Sequence, residues 1–264
     1  MALHEDLLVL LINLDDCSDR LTSSSAFLDR EGIAYTRLSA VDGRHRPAAS
    51  FPEYDERLTH RRMARSMSSG EVACFLSHAQ ALCTFLQTDK PFLLLFEDDL
   101  RLDAGFADLM RASVDFLKAW PGRWDVVNLS RGVKRVWTPI AAIPSAMGTF
   151  TLSASHYFPM TATGMLWSRA GAEAFLAHAF PVHAPIDFYI RDLCHRRSSG
   201  LAFDRPPVLV TTAPSVTDDA GRRKELPRAL HPISYFVYRQ RQALAEYRAA
   251  FVNRTAFRAA QGGI

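Results

Sequence analysis

The chain alternates continuous apolar runs with stretches in which apolar residues recur every three or four positions. The first run, "LLVLLINL" (Leu7 to Leu14), is preceded by acids, is too short to cross a membrane, and lacks the basic start of a signal peptide. It reads as a buried strand. A helix is expected over residues 19–32, closed by Gly32, and "IAYTRLSAV" (33–41) alternates like a second strand that stops at an Asp-Gly turn. From His45 to Met67 the chain is polar and basic with no clear period, which predicts a long loop.

Ser68 and Glu71 then stand at capping-box spacing, and Val72, Phe75, Leu76, Ala79, Leu82, Cys83 and Leu86 recur at helical intervals. This pattern predicts a crossover helix packed on a sheet. Next comes "PFLLLFEDDLRL" (91–102), in which five large apolar residues run into three acids. A helix is expected over 103–120, a strand over "WDVVNLS" (124–130), a Gly/Ser/Pro-punctuated loop to about Met160, and strand, turn and helix through "ATGMLWSRAGAEAFLAHAF" (162–180). The alternation predicts an α/β fold, a mostly parallel sheet flanked by helices.

Composition adds that 264 residues, 48% of them hydrophobic, suffice for a sizeable core. The formal charge of +3 is unevenly spread: from Ala220 onward nine Lys or Arg face two acids, a net of +7, leaving about −4 for the rest. We therefore expect a sheet domain over 1–219 and a basic helical extension over 220–264 packed on it. In that extension Phe236, Ala243, Leu244, Tyr247 and Phe251 fall at helical spacing among arginines. Such a helix either packs on the domain with a basic outer face or makes peripheral contact with an anionic membrane. The four cysteines form no CxxC pair and no zinc-finger pattern with histidine, and read as reduced, mostly core thiols of a cytoplasmic protein.

The acids Glu97, Asp98 and Asp99 carry the chemistry. Unpaired carboxylates are too costly to enter the interior, so the strand is expected to end at Phe96 and deliver them to its C-terminal edge. In open α/β sheets, ligands bind at that edge. Side chains alternate, so Glu97 and Asp99 share one direction and Asp98 takes the other. Paired oxygens on one face suit Mg²⁺ or Mn²⁺, which in turn neutralises a diphosphate. The competing reading is a solvated loop or a helix cap.

The chain resembles glycosyltransferase family 25, the lipooligosaccharide-type sugar transferases related to collagen galactosyltransferases. The resemblance runs from about Leu8 to Pro214 through "LINLDDCSDR", "AVDGR", "SGEVACFLSH", "LLLFEDDLRL", "WDVVNLS", "ATGMLWSRAGAEAF" and "PIDFYI". It implies a GT-A-like fold, a UDP-sugar donor (commonly UDP-galactose), and Mn²⁺-assisted, inverting transfer to a glycan or lipid-linked saccharide acceptor. Glu97-Asp98-Asp99 correspond to the family's DxD-type motif, with Asp99 as direct metal ligand and Glu97 meeting the ribose, or the metal through water. Asn13, Leu14 and Arg20 match the first-strand signature near the nucleotide, although basic residues are frequent in the family where this chain has Asp15, Asp16 and Cys17.

Asp42 and Gly43 are placed to meet a base or ribose, or form a simple turn. Ser77 and His78 are expected to support the donor pocket. Asp187, in "PIDFYI", matches the family's aspartate there and is the candidate base for the acceptor hydroxyl, with Asp192 as second choice. Thr163 and Gly164 are candidates for the sugar pocket.

Two other function classes compete. A metal-dependent nucleotidyltransferase or phosphoesterase would use the same acids, but there is no Gly-rich phosphate loop after the first strand and no His/Asp cluster for two metals. A non-enzymatic basic protein binding membrane or nucleic acid would use the acids only as caps. The leading expectation involves no nucleic acid.

Overall fold

Each long apolar run of the sequence becomes a strand of one large sheet. A computed structural model describes residues 3–211 and 232–261. In chain order it contains β1 (Leu7–Asn13), α1 (Ser18–Arg30), β2 (Thr36–Ser39), α2 (Glu56–Met63), α3 (Ser69–Leu86), β3 (Phe92–Glu97) and β4 (Leu100–Leu102). Then follow α4 (Phe106–Ala119), β5 (Val126–Asn128), β6 (Trp137–Ile143), β7 (Phe150–Ser155) and β8 (Gly164–Ser168). The described chain closes with α5 (Arg169–Leu176), α6 (Ile186–Arg197), β9 (Gly200–Phe203), β10 (Val208–Val210) and α7 (Pro232–Gln261).

The large sheet has the order β2-β1-β3-β8-β5-β9-β7-β6, and β10 and β4 form a separate pair. The β2-β1-β3 part is parallel, as is β5 with β9, while β8, β7 and β6 pair antiparallel with their neighbours. The fold is the expected α/β, GT-A-like one, with a mixed sheet. Strand period two sorts its side chains into two cores. Phe92, Leu94 and Phe96 face the side of α1 and α4, and Leu93 and Leu95 face the side of α3, α5 and α6. Leu93, Leu94, Leu95 and Phe96 have no exposed surface, and burying each contributes about 2 kcal/mol.

From β1 the chain runs to β2 on one side and returns through α3 to β3 on the other. That reversal opens a crevice at the carboxyl ends of β1 and β3, the position where α/β sheets bind ligands. One wall is α3, whose capping box forms as expected: Glu71 N donates to Ser68 Oγ at 3.2 Å and Ser68 N to Glu71 Oε2 at 2.9 Å.

Several boundaries differ from the sequence expectation, each for a local reason. The stretch 45–67 is not a patternless loop. It holds α2, where Asp55 caps Leu58 N at 2.8 Å and the buried Thr59 and Met63 lie one turn apart. The expected loop before Met160 holds the β6–β7 hairpin. Its period is broken at Pro139, where the register shifts, and β6 is an edge strand that tolerates the missing N–H. The helix after the acids starts at Phe106, because Gly105 with φ 93° forms its cap. β2 is shorter than the alternation suggested. Cys194 is buried, but Cys83 is exposed and Cys17 and Cys74 are half-buried, so the thiols are not mostly core.

The boundary at 219/220 lies outside the described residues, as do Arg222, Arg223, Lys224 and Arg228. Helix α7 docks through a polar and aromatic seam. Tyr247 stacks on Tyr157 with ring centroids 5.0 Å apart, Glu246 pairs with the buried Arg191 at 3.3 Å, and Asn253 Nδ2 donates to His195 O at 2.7 Å. Phe257 meets the His156 ring edge-on. Leu244 and Phe251 point outward, with Arg241 and Arg248 also exposed. Among the described residues no helix is long and apolar enough to cross a membrane.

His156 and His195 lie along this seam, and both are held down from 6.5 to about 4. Burial is the main cause for each, followed by Arg254 and Arg258 for His156 and by Arg191 for His195. Between those values the unfolded chain binds more protons, so their contribution to stability is complete above 6.5 and is lost as pH falls toward 4. Thermal unfolding followed by circular dichroism should show a falling midpoint over that window, and His156→Gln should flatten part of the fall. A pH-independent difference between the two proteins would contradict this linkage.

Candidate functional site

The acids occupy the turn between β3 and β4 at the mouth of the crevice. Glu97 is the last residue of β3, one beyond the expected end, and the helix cap is Gly105, so the acids are not caps of α4. Alternation splits them as anticipated. Asp98 turns toward α1, and Glu97 turns toward α3.

Asp98 is fully engaged. Arg20 donates to Asp98 Oδ1 from Nε at 2.9 Å and from Nη2 at 2.5 Å, and Asn13 Nδ2 donates to Oδ2 at 2.7 Å. Ser24 Oγ donates to the Asp98 carbonyl at 2.8 Å. Asn13 is buried and also receives a bond from Arg37 Nε at 2.9 Å. Arg20 and Asn13, which both line the cleft, also bind the acidic turn to β1 and α1.

Glu97 faces a different set. His78, buried on α3, lies with Nε2 at 2.8 Å from Glu97 Oε1, and the Cys74 thiol donates to the same oxygen at 3.6 Å. Burial raises the Glu97 carboxyl, but the hydrogen bond and charge of His78 outweigh it and keep Glu97 below the usual range. For Asp99 burial wins, with Glu97 adding to it, and the carboxyl is pushed up to about 7. Asp99 Oδ1 is buried with no hydrogen-bond partner among the described residues. Thr163, also buried, steadies this acid with its side chain and accepts Glu97 N on its carbonyl at 2.9 Å. Beside it, Gly164 pairs with Phe96 and abuts Val208.

An unpartnered buried oxygen on a carboxyl driven toward neutrality, next to a second carboxylate, is what a divalent cation relieves. The residues present therefore fit a hard cation held by Asp99 and Glu97.

The opposite wall follows β2. Ser77 Oγ accepts Val41 N at 2.9 Å and donates to Ala73 O at 2.8 Å, tying the strand exit to α3. Gly43 sits so close to α3 that an added Cβ would stand 2.5 Å from Ser69 O, which explains the glycine without a ligand. The Asp42 carboxylate is held by Arg44, whose Nη2 lies 2.7 Å away and also reaches Asp16 at 2.8 Å. Arg44 carries no signal of its own in the sequence, where it closes the Asp-Gly turn of "AVDGR". Cys74 escaped because it was weighed only against zinc-finger spacing, although Cys74 and His78 stand four apart on one helical face.

Asn13, Leu14, Arg20, Asp42, Gly43, Ser77, His78, Glu97, Asp98 and Asp99 all line this one cleft, with Arg44 and Cys74. Asp187 is not part of that lining. It is half-buried in the first turn of α6, accepts Phe188 N at 2.9 Å, and is near enough to Cys74 to raise the thiol electrostatically. Asp192 is paired with Arg62 of α2.

An α/β sheet with acids at the carboxyl end of β3 and a cleft at its switch point is the frame of a GT-A-type sugar transferase domain. The chain belongs to glycosyltransferase family 25 (LPS biosynthesis protein), whose family model matches residues 7–190. It is 25% identical over 191 residues to procollagen galactosyltransferase 1 of Danio rerio, a match covering 69% of this chain and 30% of that protein. To procollagen galactosyltransferase 2 of Homo sapiens it is 24% identical over 187 residues, covering 69% and 29%. It also matches inactive glycosyltransferase 25 family member 3 of Homo sapiens, 28% identical over 131 residues, covering 47% and 21%. The chain thus spans about 30% of the length of the curated galactosyltransferases it matches.

The grip on Asp98 makes a stability prediction. The Arg20–Asp98 pair is largely buried and Asp98 also accepts from Asn13, so Asp98→Ala, which removes both contacts, should lower the unfolding free energy by about 3 kcal/mol. Chemical denaturation checks this; a change below about 0.5 kcal/mol would show the pair to behave like an exposed one.

Proposed function

We propose that this chain is the catalytic domain of a glycosyltransferase that moves a hexose, galactose in our reading, from a UDP-sugar to a hydroxyl of a glycan or lipid-linked saccharide. The observation that carries this is the unpartnered, buried Asp99 Oδ1 beside Glu97 at the sheet's switch point. Membership of the family does not by itself decide activity, since one relative is named inactive. This chain keeps both carboxylates in the cleft.

Asp99 and Glu97 would hold Mn²⁺ or Mg²⁺, and a bound cation supplies charge neutralisation for the departing nucleoside diphosphate. Arg44 at the cleft wall supports the same charge, and Ser77 and Gly43 set the width of the pocket. Asp187 is assigned as the base. The acceptor oxygen attacks the anomeric carbon, the bond to the diphosphate breaks, and the acceptor proton passes to the Asp187 carboxylate with inversion at carbon. It stands in the first turn of α6, at the positive end of the helix dipole.

The reading places the enzyme in the cytoplasm, in peripheral contact with an anionic inner membrane face. Support comes from Arg241 and Arg248, exposed with Leu244 and Phe251 on α7.

The reading separates two variants. With UDP-galactose and Mn²⁺, Asp99→Asn should lose at least a hundredfold in transfer and also lose cation-dependent donor binding by calorimetry. Asp187→Ala should lose transfer by a similar factor while binding donor within about threefold of wild type. Donor binding that is equal with and without the cation would overturn the assignment of Asp99, and normal transfer by Asp187→Ala would remove it as base.

A further inference from the structure

Glu97 has a second set of neighbours that the transfer reaction does not use. Cys74 and His78 stand four residues apart on α3, one helical turn, so both side chains meet the end of β3. One ligand atom from each of Cys74, His78 and Glu97 lies within 4.8 Å of the others. Two of the separations are 3.6 Å (sulfur to carboxylate) and 2.8 Å (imidazole to carboxylate). A tetrahedral zinc ion with bonds of about 2.0–2.3 Å needs its ligands about 3.5 Å apart, so small side-chain movements would admit one.

We propose that Cys74, His78 and Glu97 form a binding site for a soft divalent cation of the Zn²⁺ class, with one coordination position open to the cleft. A thiolate, an imidazole and a carboxylate are the donor set that favours Zn²⁺ or Co²⁺ over Mn²⁺ and Mg²⁺. Cys74 lines the cleft and is half-buried, which gives the ion a route in. The Glu97 carboxylate holds a proton on His78 Nε2 at 2.8 Å, which the ion displaces to bind there, and Nδ1, buried without a partner among the described residues, imposes no competing contact. Binding displaces to solvent the Cys74 thiol proton and the proton held between His78 Nε2 and Glu97. The ion then shares Glu97 with the hard-cation position at Asp99, so the two cations exclude each other. That exclusion, and inhibition of transfer by Zn²⁺, rests on the reading of the cleft proposed above; the binding itself does not.

Cobalt titration of the purified, metal-free full chain, without any nucleotide, tests the site directly. Wild type should develop a near-ultraviolet thiolate-to-cobalt charge-transfer band with tetrahedral visible bands, bleached by one equivalent of Zn²⁺. Cys74→Ser should lose the charge-transfer band, Glu97→Gln should weaken cobalt affinity at least tenfold, and Cys17→Ser and Cys83→Ser should keep the wild-type spectrum. Cobalt binding to wild type with no thiolate band would overturn the proposal, as would loss of the band in Cys17→Ser or Cys83→Ser. Because the readout involves no sugar transfer, an inactive protein that shows the band retains the site and refutes only the catalytic reading.

Discussion

The acidic turn after β3 is useful only because one of its three carboxylates is given up to hold the other two. Asp98 lies between Arg20 and Asn13, and its carbonyl is taken by Ser24, so β3, β1 and α1 meet at a single residue. A charge-assisted, two-point Arg–carboxylate contact fixes direction as well as distance. With Asp98 locked on the α1 side of the sheet, Glu97 turns toward α3 and meets His78. Asp99 is left with a buried oxygen that nothing in the described chain satisfies. Family membership does not depend on this detail, but the proposed cation site does.

Helix α3 is the other fixed element. Its capping box is reinforced by Arg65, which reaches both oxygens of Glu71 at 2.7 and 2.8 Å. That pins the helix start where Gly43 packs against Ser69. About two turns further, Ser77 grips the exit of β2, while Cys74 and His78 present a soft pair of donors to Glu97. The cleft therefore offers a hard oxygen pair on one side of Glu97 and a sulfur and nitrogen pair on the other. These two donor sets differ in chemical softness rather than in the space they offer.

Much of this was legible in the sequence because it is local. The apolar run of β1, the capping box and 3.6 period of α3, and the greasy strand that delivers three acids each depend on residues close in the chain. What could not be read was long-range. The partners of Asp98 lie 78 and 85 residues away, and no local pattern announces that Arg20 and Asn13 would hold it. Arg44 stands in the turn after β2, where nothing local marks it as more than a turn residue. The β6–β7 hairpin was hidden by Pro139, which an edge strand accepts and a central strand would not. Asp187 was placed by resemblance alone, and it lies beside Cys74 rather than among the cleft residues.

The central claim is that the Asp98 anchor, though it need touch no ligand, orders Glu97 and Asp99 for cation-dependent donor binding. Calorimetric titration of UDP with Mn²⁺ into wild type and Arg20→Met tests it most directly, with circular dichroism confirming that both are folded. The account predicts that the variant loses at least tenfold in Mn²⁺-dependent UDP affinity while binding without the cation changes little. Undiminished Mn²⁺-dependent affinity in folded Arg20→Met would contradict it.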